Sequence, residues 1–295
     1  MKSAPAKPRR RLAEWLITMP SFAWLFILFL IPTLIIFAIS FRTPDPFGGV
    51  GKEWSLEVIK NWGDFHYAAI IWRTIWISLV TTLLCIVIAI PTAYQIARSA
   101  EKWRKFLLLL IIVPFWTNFL IRIFAWKIVL HPEGVFKRIL VALQLIENDT
   151  TLLYSSGAVL LVMVYTYLPF AVLPIYAAAE KFDFRLIEAA RDLGARSLQA
   201  FMRIFLPGIS RGVMTAVLMV FIPTLGAYVI PDLVGGPNSE MIGNKIAQRT
   251  FVDRNLPQAS WLAALLTLAV LAPMLIVLSL QNRRKEKGSI LTEGL

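Results

Sequence analysis

Glu188-Ala189-Ala190-Arg191-Asp192-Leu193-Gly194, followed after nine residues by Ile204-Phe205-Leu206-Pro207, is where a mostly apolar chain interrupts itself. The polar stretch around it, 180–211, lies between two long apolar segments, and its residue grammar predicts two short helices. Asp183 is placed to cap the first, whose apolar residues Leu186, Ala190 and Leu193 fall at i, i+4 and i+7. Gly194 supplies the left-handed residue that ends it. The second begins at Ser197 and carries Leu198, Phe201, Met202 and Phe205 along one stripe until Pro207 stops or bends it. Helix grammar by itself describes no more than a hairpin joining two membrane spans, each charge on it a solvated helix face. Two features go further. Ala189 and Ala190 offer a thin face that another backbone can approach closely. Beside them Glu188 places a carboxylate able to accept charge-assisted hydrogen bonds, rimmed by Arg191, Asp192 and Arg196.

The chain on either side of this loop has the composition of a bilayer protein. It is 58% hydrophobic and 16% charged, with mean hydropathy +0.68, where ordinary soluble domains are ~45–50% apolar. Six apolar stretches, 21–40, 70–97, 106–130, 152–179, 212–234 and 261–280, each match the ~20 residues that cross a hydrocarbon core. The expected fold is therefore all-α, a polytopic membrane protein with six transmembrane helices. Assigning the connections alternately to two sides puts nineteen of the 30 Lys and Arg with the N-terminus, 98–105, the polar loop and the tail, and eight opposite. The positive-inside rule then places both termini and the loop in the cytoplasm. That distribution accounts for the net charge of +12 and argues against nucleic acid as a partner. The first apolar run follows Lys7 and Arg9 to Arg11 but is longer than the ~7–15 residues of a signal core, so a retained first span is expected.

Catalytic chemistry is not indicated. Cys85 lies inside an apolar run, which excludes an internal disulfide and any cysteine-based metal cluster. His66 and His131 stand apart in polar connections, so no metal site is expected. No G-x-x-x-x-G-K-[ST] run is present, and no nucleophile, histidine cluster or carboxylate pair has catalytic spacing.

Candidate path residues come from features that hydrocarbon tolerates poorly. Each span contains proline (Pro32, Pro91, Pro114, Pro169 with Pro174, Pro223 with Pro231, Pro273), and a proline frees a carbonyl that neighbours or a watery cavity must satisfy. The fifth span is the most interrupted, with Gly226, Tyr228 and Asp232 between and beyond its two prolines, and it is expected to line a path. Arg122 and Lys127 in the third span, with Trp116, Asn118 and Trp126 nearby, are functional candidates because an intramembrane charge costs at least ~2.5 kcal/mol. Tyr165 and Tyr167 add aromatic faces in the fourth. Arg73 lies near a span end and can snorkel. The connection 41–69 combines turn formers (Pro44, Pro46, Gly48, Gly49) with Trp54, Trp62, Phe65 and Tyr67, as expected of an interfacial belt. The segment 235–244 opens with a turn and is expected to enter a short helix at Ser239.

The spacing Glu-Ala-Ala, three residues, Gly, nine residues, Ile, one residue, Leu-Pro resembles, position for position, the cytoplasmic loop of permease subunits in binding-protein-dependent ABC importers. The resemblance implies the type I (MetI-like) permease fold. It also implies that Glu188, Ala189, Ala190, Asp192, Gly194, Ile204, Leu206 and Pro207 couple the chain to a cytoplasmic ATPase. On this view residues 1–69 hold the N-terminus, first span and first periplasmic loop, 70–281 form a five-helix core containing the coupling loop 180–211, and 282–295 are a cytoplasmic tail. The implied partners are a second, homologous permease, an ABC ATPase dimer that uses ATP and Mg, a periplasmic solute-binding protein and the lipid of a bacterial inner membrane. This chain itself would bind no cofactor.

A finer resemblance rests on Pro114 to Asn118, Arg122, Ala125-Trp126, Tyr228 to Leu233 and Asp253 to Pro257, which look like the spermidine/putrescine branch of that family. Such a cargo wants carboxylates and aromatic faces. Trp116, Tyr165, Tyr167 and Tyr228 offer faces and Asp232 a carboxylate, whereas Arg122 and Lys127 would repel a polyamine. An opine or other small nitrogenous or anionic solute therefore stands as an alternative cargo. An ion-coupled secondary transporter is the competing class. It normally relies on intramembrane acids, which the second to fourth spans lack, and has no use for such a loop.

Overall fold

The structure, a computed structural model, describes residues 8–56 and 65–271. Trp62, Pro273, the side chain of His66 and the tail 282–295 lie outside these. The described residues fall into two compact units, 8–56 with 246–268, and 65–245 with 269–271.

In the first unit, α1 (Pro8–Leu25), a wide turn (Phe26–Leu30) and α2 (Ile31–Ile39) follow without a break. The stretch Thr18–Ile39 is long and apolar enough to cross a membrane and has no buried residue in its apolar window. The wide turn ends where Pro32 enters α2, as a missing amide donor requires. The following connection departs from the helix-only expectation: β1 (Arg42–Pro44) pairs antiparallel with β2 (Val50–Trp54). A bulge interrupts the ladder because Pro44 has no donor to give it. The Arg42 guanidinium lies over the Trp54 ring, 4.5 Å from its centre, and donates to the Lys52 carbonyl at 2.9 Å. The hairpin turn is fastened by the Gly49 amide donating to the Arg254 carbonyl at 2.8 Å.

The second unit is organised by α3 (Phe65–Arg98), a helix of 34 residues that continues through Pro91. It packs against α7 (Ser156–Glu180), and α11 (Ser210–Leu225) packs against both. Small buried residues make the close approach, with Ala89 and Ala93 on α3 and Ala171, Ala179 and Ala216 on its neighbours. Cys85 is fully buried among them. Ser155 caps α7 by accepting from the Ala158 amide at 3.1 Å.

The third apolar stretch is not one straight helix. α4 (Glu101–Ile112) tightens into a turn at Val113–Trp116, and α5 (Phe119–Val129) leaves at 93°. Pro114 cannot continue the ladder, and Asn118 starts the new helix by accepting from the Leu120 amide at 2.8 Å. A short α6 (Val135–Ala142) follows. The fifth stretch also breaks, at Gly226 to Tyr228, before α12 (Val229–Val234), which packs on α5 and α7. Ser239 does not open a helix. Its hydroxyl accepts from the Gly236 amide at 2.8 Å inside a tight turn, and α13 (Ile242–Ala247) begins three residues later. After a wide turn (Gln248–Val252), α14 runs from Leu256 to Leu271. Three helices of the described residues are long and apolar enough to span a membrane, or five if each bent pair counts as one.

Candidate functional site

The polar loop folds as two short helices, α8 (Arg185–Asp192) and α9 (Ser197–Ala200), the latter widening at Phe201–Phe205 before α10 (Leu206–Gly208). The Asp183 carboxylate accepts from the Arg185 amide at 3.0 Å in an Asx turn just ahead of α8, so Phe184 rather than Asp183 holds the N-cap position. At the far end Gly194 takes φ +85°. Its amide donates to the Arg191 carbonyl, and the Ala195 amide reaches back to the Ala190 carbonyl at 3.0 Å. That pair of bonds is the Schellman closure, and it requires a residue indifferent to positive φ. Gln199 then accepts from the Arg196 amide and starts α9.

The face of α8 that meets the fold is not the stripe the spacing suggests. Ile187 is the buried residue, Ala190 is half-buried, and Leu186 and Leu193 point outward, the latter 89% exposed. On the following turns Leu198 is 71% exposed and Met202 is also outside. The loop thus presents four large apolar side chains together with exposed Glu188, Ala189, Arg191, Asp192 and Arg196. An apolar patch rimmed by charge is the composition of a protein-docking surface. Ile204 and Leu206 are half-buried and Pro207 is exposed, where the loop returns toward α11.

The base of the loop is aromatic, a feature the spacing alone did not reveal. Phe205 is fully buried, with the Tyr94, Phe182, Phe184 and Phe201 ring centres 4.9, 5.3, 6.1 and 5.2 Å away. Tyr94 and Phe182 meet Phe205 edge-to-face, the arrangement that ring quadrupoles favour, while Phe184 and Phe201 lie stacked against it. Tyr94 belongs to α3, and its hydroxyl accepts from Arg98 Nη1 at 2.8 Å. Beside the cluster, Glu180 accepts from Tyr176 at 2.8 Å and from Arg104 at 3.2 Å, tying α4 to the end of α7.

Most of the candidate path residues fall into three groups, and Trp116, Asn118 and Lys127 stand apart from them. Arg122 lies over the Phe115 ring at 5.1 Å, and Phe115 in turn meets Phe170, which neighbours buried Tyr167. Its Nε is buried without a hydrogen-bond partner. Trp126 and Tyr165 meet edge-to-face at 5.3 Å, joining α5 to α7. Tyr228 and Asp232, both exposed, stand one turn apart at the break of the fifth stretch. Asn118 is occupied as a helix cap and Trp116 is 79% exposed on the bend. Lys127 lies 5.8 Å from the Tyr154 ring centre. Arg73 reaches the Pro237 carbonyl at 3.5 Å.

Asn244, unremarked in the sequence, organises the third group. Its Nδ2 donates to the Tyr228 carbonyl at 3.0 Å and approaches Asp232 Oδ1 at 3.5 Å, while its Oδ1 accepts from the Met241 amide at 3.1 Å. Neighbouring Gly243 makes this possible, since a Cβ there would sit 2.8 Å from the Ala227 carbonyl oxygen. Lys245 is paired with Glu240 at 3.2 Å.

Residues 85–287 match the family described as binding-protein-dependent transport system inner membrane component. The chain is 36% identical over 270 residues to the spermidine/putrescine transport system permease protein PotB of Haemophilus influenzae, covering 90% of this chain and 94% of that one. PotB of Escherichia coli K12 is 37% identical over 254 residues, 86% of this chain and 92% of the relative. A solved bacterial ABC transporter, involved in the import of the acidic polysaccharide alginate, shares the fold with a TM-score of 0.70 at 17% identity. The match covers 93% of this chain and 96% of that one.

Proposed function

The chain belongs to the binding-protein-dependent transport system inner membrane components, and from that membership we propose that it forms half of the membrane path of an ATP-driven importer whose cargo is a polyamine. The observation that carries the cargo is the likeness to the spermidine/putrescine permeases along nearly the whole chain. As an inner-membrane permease the chain is a path rather than a catalyst. ATP and Mg belong to a cytoplasmic ATPase dimer, which docks on α8 and α9 through Glu188, Ala189, Ala190, Asp192 and the exposed leucines. A homologous second permease completes the path through six spans with both termini cytoplasmic. A periplasmic binding protein delivers cargo, as in the alginate transporter solved with its pentasaccharide-bound periplasmic protein.

Nucleotide favours one arrangement of the ATPase pair, and the docked loops convert that preference into an inward-open or outward-open path. At the periplasmic mouth Tyr228 offers a ring face and Asp232 a carboxylate, the two groups an alkylammonium seeks. Arg122, with its unpartnered Nε, supports a second reading in which the cargo carries a carboxylate, as an opine does.

The test is a pull-down of the tagged chain from mild detergent, co-expressed with its neighbouring genes, beside Glu188→Lys and Gly194→Asp. The importer reading expects an ATPase and a second permease with the wild type, and loss of the ATPase from both variants. A wild type that emerges with no ATPase overturns it in favour of an ion-coupled transporter, whose uptake collapses with the membrane potential rather than with ATP. Labelled spermidine and octopine, offered to the same cells, separate the two cargo readings.

A further inference from the structure

Helix α3 touches both ends of the transport machinery. At one end Tyr94 packs within the ring cluster, 5.8, 5.2 and 4.9 Å from Phe184, Phe201 and Phe205. The other four rings all belong to the turn after α7 and to the loop itself, so Tyr94 is the ring through which that core grips a separate span. Twenty residues along the same helix, about 30 Å at the α-helical rise, the buried Thr74 hydroxyl accepts from the Ile242 amide at 2.9 Å. That hydroxyl also donates to the Ile70 carbonyl at 2.8 Å, so its geometry is set from both sides. Ile242 opens α13, whose Asn244 fastens the Tyr228 carbonyl and approaches Asp232. Between these contacts α3 is helix without a break, carried through Pro91 three residues before Tyr94, and its inward face is close-packed against α7 and α11.

We propose that α3 is the lever of the importer: Tyr94 receives the displacement of the docked loop, and Thr74 delivers it through Ile242 and Asn244 to the Tyr228–Asp232 mouth. A long helix held by interlocked rings at one end and a buried hydrogen bond at the other moves as a rigid body, because packed cores shift between discrete arrangements rather than deforming. The chain-local route through α11 is less direct, since α11 leaves the loop at a 71° bend and is broken at Gly226, next to the mouth. The proposal rests on the importer reading, and it makes Tyr94 and Thr74 positioning residues for transport, with no contact to nucleotide or cargo required of either.

Tyr94→Ala, Tyr94→Phe and Thr74→Val, each in the full complex reconstituted in liposomes with binding protein and labelled spermidine, test it. The readouts are ATPase retained on pull-down, ATP hydrolysed and cargo imported. Tyr94→Ala is expected to keep its ATPase and hydrolyse ATP near the wild-type rate while import falls about tenfold, the size of a typical coupling effect. Tyr94→Phe keeps the ring and should restore the wild-type ratio of ATP to cargo. Thr74→Val, nearly the same shape without the hydroxyl, should raise that ratio as Tyr94→Ala does. An unchanged ratio in both Tyr94→Ala and Thr74→Val overturns the lever. Loss of the ATPase from Tyr94→Ala also overturns it, since the ring would then serve only to fold the docking surface. A wild-type complex without ATPase is a different failure, that of the importer reading itself.

Discussion

At the scale of single residues, Gly194 separates backbone strain from contact. Nothing lies within 4 Å of a Cβ built there, so a substitution acts through φ alone. Gly194→Ala should cost the loop about 1 kcal/mol and Gly194→Asn less, because Asn visits the left-handed region more readily. Thermal unfolding of the solubilised complex checks the order, and equal effects would point to a contact with the partner instead. Asn118 poses the opposite choice, between helix cap and cargo ligand. As a cap, Asn118→Ala should lower stability by about 1 kcal/mol and Asn118→Asp should retain most of it. Should Asn118→Asp import cargo with a strongly altered KM at unchanged stability, the side chain belongs to the path. At the mouth, Asp232→Lys should reduce uptake of a cationic cargo by raising KM. Unchanged kinetics would remove Asp232 from the path.

At the scale of elements, legibility followed how local the physics is. The Gly194 closure and the Ser197 start depend on a few adjacent residues, and each was readable from them, whereas the sharp break at Pro114 inside one apolar stretch was not. The buried face of α8 was not. Leu186, Ala190 and Leu193 form a proper helical stripe, but a two-turn helix between spans is oriented by what its flanks pack against, which here buries Ile187. Leu186 and Leu193 are left outside. Replacing two exposed leucines, Leu193→Ser with Leu198→Ser, should therefore leave the permease folded and weaken ATPase retention. Unfolding of the chain, seen as loss of monodisperse material in detergent, would instead show that the two leucines support the fold. The hairpin β1–β2 escaped the helix-only expectation because three- and five-residue strands with a proline and a glycine carry little alternation to recognise.

At the scale of the whole molecule, the expectation is a topology with the basic connections inside. Cys85 is buried, so labelling with a membrane-impermeant maleimide starts from a silent background. Lys52→Cys should label on cells whose outer membrane alone is opened, and Arg191→Cys only after the inner membrane is breached. The reverse pattern would invert the assignment of sides. Composition and the distribution of Lys and Arg were sufficient to identify a polytopic helical protein and its polar loop, because the bilayer's cost for unpaired backbone and buried charge acts on every residue of a span. Which rings surround Phe205, that Tyr94 reaches them from another span, and that Asn244 braces the Tyr228 break were decided by the tertiary structure alone. Those contacts join residues distant along the chain, and no local periodicity encodes which distant side chain fills a given gap.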